Sequence, residues 1–335
     1  MKHTCPYLST IFAFLKLRAV CCVRVIALLG LGFAGSAAAV TYAPPLERSN
    51  WLVDESIFEC KLRHDIPYYG EAVFERRAGE QQQFYLDASA GRMQIGKASV
   101  VAESPHWRPG GGARELGLIP VSAGSRPMAL GRKLSERILS ELHQGMQVVV
   151  TRQPWYGAEE SLRVAMVPVN FQLAYRDYLG CLGNLLPVNF DQVSRSAIYF
   201  KPGVEELPAS ERRKLDNIVV YVKADPSVTA FFIDGHTDSR GARAENLELS
   251  KMRAELVGQY LINQGVDAAK ITTRWHGERY PVVSNRTANG RAKNRRVTVR
   301  LQKGEAEMHP ALGGSGPAAP AISANPSRDS SKPLI

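Results

Sequence analysis

The segment Asp234–Asp238 (DGHTD) holds the side chains of this sequence that are best suited to chemistry. It follows the apolar run Val228–Ile233, which predicts a buried strand, so the segment lies where a strand ends and the chain must turn. Gly235 lifts the steric limits of such a turn, and the three residues after it are then presented at the edge of the sheet. Polar groups at a sheet edge are available to a ligand.

The helix predicted after this turn places a cation opposite those groups. Four of its residues share one stripe, because they recur at helical spacing: Asn246, Ser250, Arg253 and Val257. A carboxylate at the strand end and a guanidinium on the facing helix form a receptor for a zwitterion. Asp238 can accept an ammonium group, and Arg253 can bind a carboxylate through two parallel hydrogen bonds. The pattern therefore predicts a site for an α-amino acid head group.

Two plainer interpretations of the same residues stay open. Asp238 and Arg253 could pair with each other as a structural salt bridge, since ion pairs near a surface often have little function. His236, Asp238 and His276 could hold a metal, but no further His or Cys follows at ligand spacing, so we expect neither a metal nor another cofactor.

The elements around these residues predict an α+β fold for residues 191–303. The expected elements are a strand at Ser196–Phe200, a helix from Ser210 to about Ala224, the strand Val228–Ile233, a helix at Glu245–Gln264, and strands at Ile271–Trp275 and Arg296–Leu301. The order β-α-β-α-β-β indicates two helices packed on one mixed sheet. A parallel crossover through each helix is expected.

Residues 40–190 read as a separate, mostly β domain. Strands are predicted at Ala72–Arg76, Gln83–Asp87, Ala98–Ala102, Gln147–Arg152 and Ser161–Val167. The last two are joined by the turn-rich segment Gln153–Gly157 and should form a hairpin. Apolar residues at i, i+4 and i+8 predict one helix at Leu134–His143. Residues 304–335 are dominated by Gly, Pro, Ala and Ser, which predicts a disordered tail.

Length and composition limit the class of protein. A chain of 335 residues with 44% hydrophobic residues can build one or two domains with their own cores, and 22% charged residues exclude wholesale disorder. The chain has 42 Lys and Arg against 32 Asp and Glu, a formal net charge of +10. That charge suggests an anionic or amphoteric partner without choosing among nucleic acid, membrane and cell wall.

Residues 1–39 have the pattern of a secretory signal peptide. Lys2, Lys16, Arg18 and Arg24 precede the apolar run 25–33, and Ala37-Ala38-Ala39 supplies an A-x-A cleavage site. The run is shorter than the roughly 20 residues that span a bilayer, so we expect cleavage after residue 39 rather than an anchor. No later segment is long and apolar enough to cross a membrane. The mature protein is therefore expected in the periplasm, and removal of four cations lowers its net charge from +10 to +6.

Cleavage leaves two cysteines, Cys60 and Cys181. In an exported chain they permit one bridge, which closes a loop of about 120 residues and stabilises the fold by about 4–5 kcal/mol on the chain-entropy model. Two free buried thiols are the competing interpretation, which export disfavours. His64 alone gives weak support to a zinc site on the two cysteines.

Enzymatic and nucleic-acid functions are disfavoured by the residues that would have to carry them. Ser239, His236 and Asp234 contain the groups of a hydrolase triad, but residues so close in sequence rarely converge in triad geometry. The basic segment Arg291–Arg300 has no interleaved aromatic residues to stack bases, and the chain is expected to be exported. We therefore predict a binding protein that is not an enzyme and has no nucleic-acid partner.

Residues 195–303 resemble the OmpA-like peptidoglycan-binding domain. The resemblance rests on Gly235-His236-Thr237-Asp238, Gly241, Asn246, Leu249-Ser250, Arg253-Ala254, Gly277, Pro281, Asn285, Thr287, Gly290-Arg291 and Asn294-Arg295-Arg296-Val297. It implies that Asp238 and Arg253 bind the free amino-acid end of meso-diaminopimelate in the wall peptide, with Thr237 beside them and Asn246 orienting the site. Asn294 and Arg295 would border the groove. Trp275 departs from the family, which usually has a small residue there.

The preceding residues are similar to the MotY family of flagellar motor proteins. The similar stretches are Cys60–Pro67 (CKLRHDIP), Gly70–Phe74 (GEAVF), Trp107–Gly110 (WRPG), Phe171-Gln172 and Cys181–Pro187 (CLGNLLP). The resemblance implies a disulfide between the two cysteines and a place in a periplasmic ring at the flagellar basal body, with MotX as partner. The ring would be fixed to peptidoglycan and would help to place stator units. The alternative is a general OmpA-like envelope protein without a flagellar role.

Overall fold

The computed structural model describes residues 39–304, except residues 109, 159 and 205. Apart from Ala39 and Gly304, the predicted signal peptide and the predicted tail lie outside the described residues. The described chain forms two regions, each around its own apolar core. The buried residues of the first core lie between Trp51 and Cys181, and those of the second lie between Val188 and Leu301.

Among the residues that the structure describes, the first region contains ten strands and two α-helices. They are β1 (Val40–Tyr42), β2 (Trp51–Glu55), β3 (Glu59–Ile66), β4 (Gly70–Arg77), β5 (Gln83–Ala88), β6 (Gly96–Glu103), β7 (Arg114–Val121), β8 (Met128–Leu130), α1 (Arg132–His143), β9 (Gln147–Arg152), β10 (Leu162–Met166) and α2 (Phe171–Asn184).

These strands form two five-stranded sheets, ordered β1-β10-β9-β6-β7 and β2-β3-β4-β5-β8. Side chains alternate across a strand, and β3 buries Cys60, Leu62, His64 and Ile66 on one face while its other face is partly exposed. The buried faces of both sheets supply a single core. The strands of both sheets therefore pack around one common hydrophobic core.

The disulfide lies in this region. Cys60 in β3 is bonded to Cys181 in α2, with the two Cα atoms 6.0 Å apart, a normal separation for a bridge. Helix α2 packs on β2 and β3, so the bond fixes the helix to the sheet it covers. The predicted disulfide is confirmed, and free thiols and a zinc site on these cysteines are set aside.

The second region contains α3 (Phe190–Val193), β11 (Arg195–Tyr199), α4 (Ala209–Ala224), β12 (Val228–His236), α5 (Arg243–Asn263), β13 (Ile271–Trp275), α6 (Ala288–Asn294) and β14 (Arg296–Lys303). Its sheet has the order β11-β14-β12-β13. β14 is antiparallel to both of its neighbours, so β11 and β12 point the same way, and β12 and β13 pair in parallel. Both predicted parallel crossovers are therefore present, one through α4 and one through α5.

The two regions are in contact at the turn between β4 and β5. The Asn189 side chain donates to the carbonyl of Ala78 at 3.0 Å and to the Glu80 carboxylate at 2.6 Å, and Arg77 pairs with Asp191 at 2.8 Å. In addition, Phe58 of the first region packs against the hydrophobic core of the second region. The junction thus combines polar contacts with a small apolar one.

The fold class predicted from the sequence is confirmed, while several elements were not predicted. The predicted strands of the first region all exist and lie within two residues of their observed ends, and β9 and β10 pair as the expected hairpin. Strands β1, β2, β3, β7 and β8 and helices α2, α3 and α6 were not predicted. In the described part of the chain, every helix is too short or too polar to cross a bilayer.

Candidate functional site

Strand β12 carries the DGHTD segment, and it extends three residues beyond its predicted end, through His236. The expectation of a turn at Gly235 is therefore wrong. Gly235 is required for another reason, because a Cβ at this position would lie 2.1 Å from the backbone oxygen of Ser250 in α5. The absence of a side chain lets the helix approach the strand closely, and this approach brings α5 next to Thr237 and Asp238.

Hydrogen bonds fix the chain around this end of the strand. The amide of Thr237 donates to the carbonyl of Gly277 at 2.9 Å, and the amide of Gly277 donates to the Ser250 hydroxyl at 3.0 Å. The end of β12, the start of the loop after β13 and helix α5 are thereby tied together. Thr237 and Asp238 leave the strand from a rigid base.

A cavity of about 620 Å³ lies beside this base, and we call it the site cavity. Five of the six predicted binding residues line it: Thr237, Asp238, Asn246, Arg253 and Arg295. A larger hollow of about 800 Å³ lies between α5 and the edge strand β13, and none of the predicted binding residues lines it. The tertiary structure thus brings together residues from β12, α5 and the segment before β14.

Asp238 is held as an oriented carboxylate. One oxygen accepts from Arg295 at 2.7 Å, and the other accepts from the backbone amide of Arg240 at 3.0 Å. Both side chains of the ion pair are largely buried, with 13% of Arg295 and 8% of Asp238 exposed. A charge pair with so little solvent is stronger than a surface pair, since water screens it less. The sequence left open a salt bridge between Asp238 and Arg253, but the ion-pair partner of Asp238 is Arg295.

Arg253 is fully buried on α5. Its guanidinium donates to the carbonyl of Val204 at 2.8 and 3.1 Å and to the carbonyl of Lys201 at 3.0 Å. It also lies over the ring of Phe200, 4.9 Å from the centroid. The loop after β11 therefore sets the orientation of this cation.

Thr237 and Asn246 complete the polar lining. Only 3% of Thr237 is exposed, and its hydroxyl has no hydrogen-bond partner among the described residues. A buried hydroxyl without a partner is costly, so it marks a place where a ligand can contribute stability. Asn246 donates to the Glu278 carboxylate at 2.9 Å, which fixes its amide at the rim of the site.

Asn294, the sixth predicted residue, is placed elsewhere. It is fully buried, its amide donates to Val283 and Asn285, and its oxygen accepts from the amides of Val282 and Val283. It therefore braces the loop before α6 and does not line the site cavity.

Sequence reasoning missed several residues that the cavity contains. The cations Arg240 and Arg291 line it, as do Pro202 and Gly203 from the loop after β11. Arg291 was noted in the sequence as part of a basic segment and was not assigned to the site. Nothing in the spacing related the β11 loop to residues some fifty positions later. Four arginines and three carboxylates, Asp238, Glu245 and Glu248, give the cavity both signs of charge.

The histidines of the segment lie beside the site rather than in it. His236 stacks on His276 with ring centroids 5.0 Å apart, and Asp234 pairs with His276 and Arg274. Burial, together with the nearby Arg296 and His276, lowers the pKa of His236 to about 4, so the ring is neutral at physiological pH. Among residues 39–304, apart from the three undescribed positions, no group of three or more His, Cys, Asp or Glu is arranged to hold a metal.

Comparison with known proteins assigns both regions. Residues 42–187 match the MotY N-terminal domain family, and residues 199–295 match the OmpA family. The chain therefore carries a MotY N-terminal domain followed by an OmpA-family domain, as the two resemblances predicted.

The chain is also similar to individual proteins. The chain is 28% identical over 263 residues to the sodium-type flagellar protein MotY of Vibrio parahaemolyticus, covering 78% of this chain and 89% of the relative. Its OmpA-family part is 44% identical over 87 residues to the probable lipoprotein YiaD of Escherichia coli, which is 26% of this chain and 39% of YiaD. The peptidoglycan-associated lipoprotein structure from Burkholderia pseudomallei aligns over 32% of this chain and 89% of its own, with 29% identity and a TM-score of 0.30.

Proposed function

We propose that this protein is a periplasmic anchor that binds peptidoglycan through the site cavity and joins the flagellar basal body through its first region. The observation that carries the proposal is the cavity itself. It gathers Asp238, Arg253 and the unpartnered hydroxyl of Thr237 within an OmpA-family domain. Its lining carries both signs of charge, which supports binding of a zwitterion.

The ligand we propose is the free amino-acid end of meso-diaminopimelate in the stem peptide. Its ammonium group would approach the Asp238 carboxylate, whose position is set by Arg295 and the amide of Arg240. Its carboxylate would meet the positive side of the cavity, at Arg253 and the neighbouring arginines, and the Thr237 hydroxyl would gain a partner. The fixed orientation of these groups lowers the entropy lost on binding.

One such site binds weakly, and the assembly supplies the strength. Two charge-assisted contacts contribute about 1.5–3 kcal/mol each before the cost of association is subtracted. A ring of several copies would hold the wall firmly, because each further contact is intramolecular. Weak sites in a ring also allow assembly to precede firm attachment.

The flagellar part of the proposal is supported by the match over 42–187 and by the similarity to the flagellar protein MotY of Vibrio parahaemolyticus. We propose that the first region joins a ring at the basal body with a MotX-like partner and so supports stator placement. Export by residues 1–39 would place the protein in the periplasm, where its disulfide can form.

The experiment that tests wall binding is pelleting of the purified protein with sacculi. Asp238→Ala removes one charge-assisted contact and should lower the affinity for sacculi about 10- to 150-fold, the equivalent of about 1.5–3 kcal/mol. Asp238→Asn, which keeps the shape, should also lose binding. Asp65→Ala, an exposed carboxylate of β3, is the matched control and should pellet like the wild type. Unchanged pelleting of both Asp238 variants would contradict the proposal.

A second candidate is a general envelope protein that uses the same site without a flagellar partner. The OmpA-family part is 44% identical over 87 residues to a probable lipoprotein, and this similarity over only 26% of the chain keeps the second candidate open. A deletion strain separates the two. Poor swimming with flagella present supports the flagellar anchor, and restoration by wild type but not by Asp238→Ala ties motility to wall binding. Normal swimming of the deletion strain supports the general envelope protein.

A further inference from the structure

A second hollow, of about 450 Å³, is lined by residues that adjoin those of the site cavity in the chain. Lys201 lines the second hollow, while the next two residues of the same loop line the site cavity. Likewise Ala292 and Lys293 of α6 line the hollow, while Arg291 lines the site cavity. Consecutive Cα atoms are 3.8 Å apart, so the two spaces meet at the same loop and at the same helix.

The lining of this hollow combines apolar side chains with exposed polar ones. The ring of Tyr199, which is 40% exposed, lies there with Phe200, Pro208 and Ala292. Lys201, Lys293 and Ser210 are exposed around it. A floor of rings and aliphatic carbons with hydrogen-bonding groups at its edge suits a ligand that is itself apolar on its face and polar at its edge.

Tyr199 is held in place by its neighbours. Its backbone amide donates to the Glu211 carboxylate at 3.1 Å, and the same carboxylate accepts from Lys214 at 2.7 Å. The Lys214 ammonium lies 5.1 Å from the centre of the Tyr199 ring. The aromatic surface is thus preorganised, which lowers the entropy lost on binding.

From this geometry we infer that the hollow receives a sugar ring of the wall glycan, an inference that rests on the proposed function. A sugar ring has a face of C–H groups and an edge of hydroxyl and acetamido groups, the same division as the lining. In murein the diamino acid is the third residue of a stem that hangs from the glycan. Because a residue spans at most about 3.6 Å, the sugar lies roughly 10 Å from a diamino acid in the site cavity, within reach of the neighbouring hollow. The domain then binds the peptide and the glycan at the same time.

The test compares two ligands on the full oxidised chain. One is the disaccharide tripeptide GlcNAc-MurNAc-L-Ala-D-Glu-diaminopimelate, and the other is the same tripeptide without sugars. The wild type should bind the disaccharide form about tenfold more tightly by calorimetry, which corresponds to about 1.4 kcal/mol. Tyr199→Ala and Lys293→Ala should each remove most of that preference and leave the affinity for the sugar-free peptide unchanged.

Two controls separate this inference from the proposed function. Lys223→Ala, an exposed lysine at the end of α4, should keep the preference. Asp238→Ala should weaken both ligands equally. Equal wild-type affinity for the two ligands, or a preference that survives both Tyr199→Ala and Lys293→Ala, overturns the sugar subsite alone. If the wild type binds neither ligand, the proposed function itself fails and the subsite fails with it.

Discussion

The two regions of this protein bury different kinds of side chain. In the described part of the first region the buried polar residues are four, Ser49, His64, Gln82 and Ser135, scattered through an apolar core. In the described part of the second region they are ten, and they include Asp238, Arg253 and Arg296. Buried charge lowers stability unless it is paired, so a fold retains it where it has a use. This difference agrees with the proposal that the second region holds the ligand-binding site.

Stability is also organised differently in the two regions. The first region has a covalent link between sheet and helix, and its buried histidine is fully hydrogen-bonded. The second region depends on close packing of a strand on a helix around a polar cavity. Perturbations should therefore affect one region and spare the other, and four changes test this separation.

The largest expected effect is that of removing the disulfide. Cys60→Ser should destabilise the first region by about 4–5 kcal/mol, because the bond closes a loop of about 120 residues in the unfolded chain. Trp51 is buried in this region, so its fluorescence reports the unfolding in urea. The variant should still bind the stem tripeptide through its second region. If the variant loses both the folding of the first region and the binding of the peptide, the two regions are not separable.

Acid should weaken the first region through His64. Burial lowers the pKa of His64 to about 4, and the neutral ring donates from Nδ1 to the carbonyl of Asn50 and accepts at Nε2 from the amide of Val167. The unfolded chain binds this proton below about pH 6.5, whereas the folded chain does not. Stability is therefore complete above pH 6.5 and falls as the pH drops, by about 3 kcal/mol at pH 4.

The measurement for His64 is the free energy of unfolding of the first region at pH 7, 5.5 and 4. His64→Gln keeps a donor and an acceptor without a titrating ring, and it should flatten the pH dependence, although it loses the stacking on Trp51. An NMR titration of His64 with a midpoint near 6.5 would argue against this account.

Gly235→Ala should act on the second region alone. The new Cβ would meet the backbone of Ser250 and force β12 and α5 apart, at a cost of about 1–3 kcal/mol. Affinity for the stem peptide should fall as well, because Thr237 and Asp238 would move relative to Arg253. Gly180→Ala in α2 is the matched control, since open space surrounds that position and the helix should gain stability. Equal stability of the two variants would refute the packing argument.

The smallest expected effect is at the junction between the regions. Arg77 and Asp191 are 40% and 69% exposed, so their ion pair is screened by water. Arg77→Ala should change stability by about 0.2–1 kcal/mol and leave sacculus binding unchanged. A larger loss, measured by calorimetry, would mean that the regions unfold as one unit.

Some parts of the fold could be predicted because their signal is local. The run QVVVTR gives β9 its bounds, and apolar residues one helical turn apart predict α1 to within two residues. Strand β7 was missed because Gly117 and Pro120 interrupt its pattern. It tolerates a proline since it lies at the edge of its sheet. Helix α2 was missed because Gly180 and Gly183 lower its helix propensity, which packing and the disulfide overcome.

The sequence by itself determined the two-region organisation, the polar segment at the end of β12 and the residue types that face it from α5, because these depend on composition and on helical and strand periodicity. Only the tertiary structure decided that Asp238 pairs with Arg295, that Arg253 is held by the loop after β11, and that Asn294 braces a loop outside the cavity. These partners lie from 9 to 57 residues apart, and no periodicity encodes such contacts. They are set by how the strands order in the sheet and by how closely α5 approaches it at Gly235.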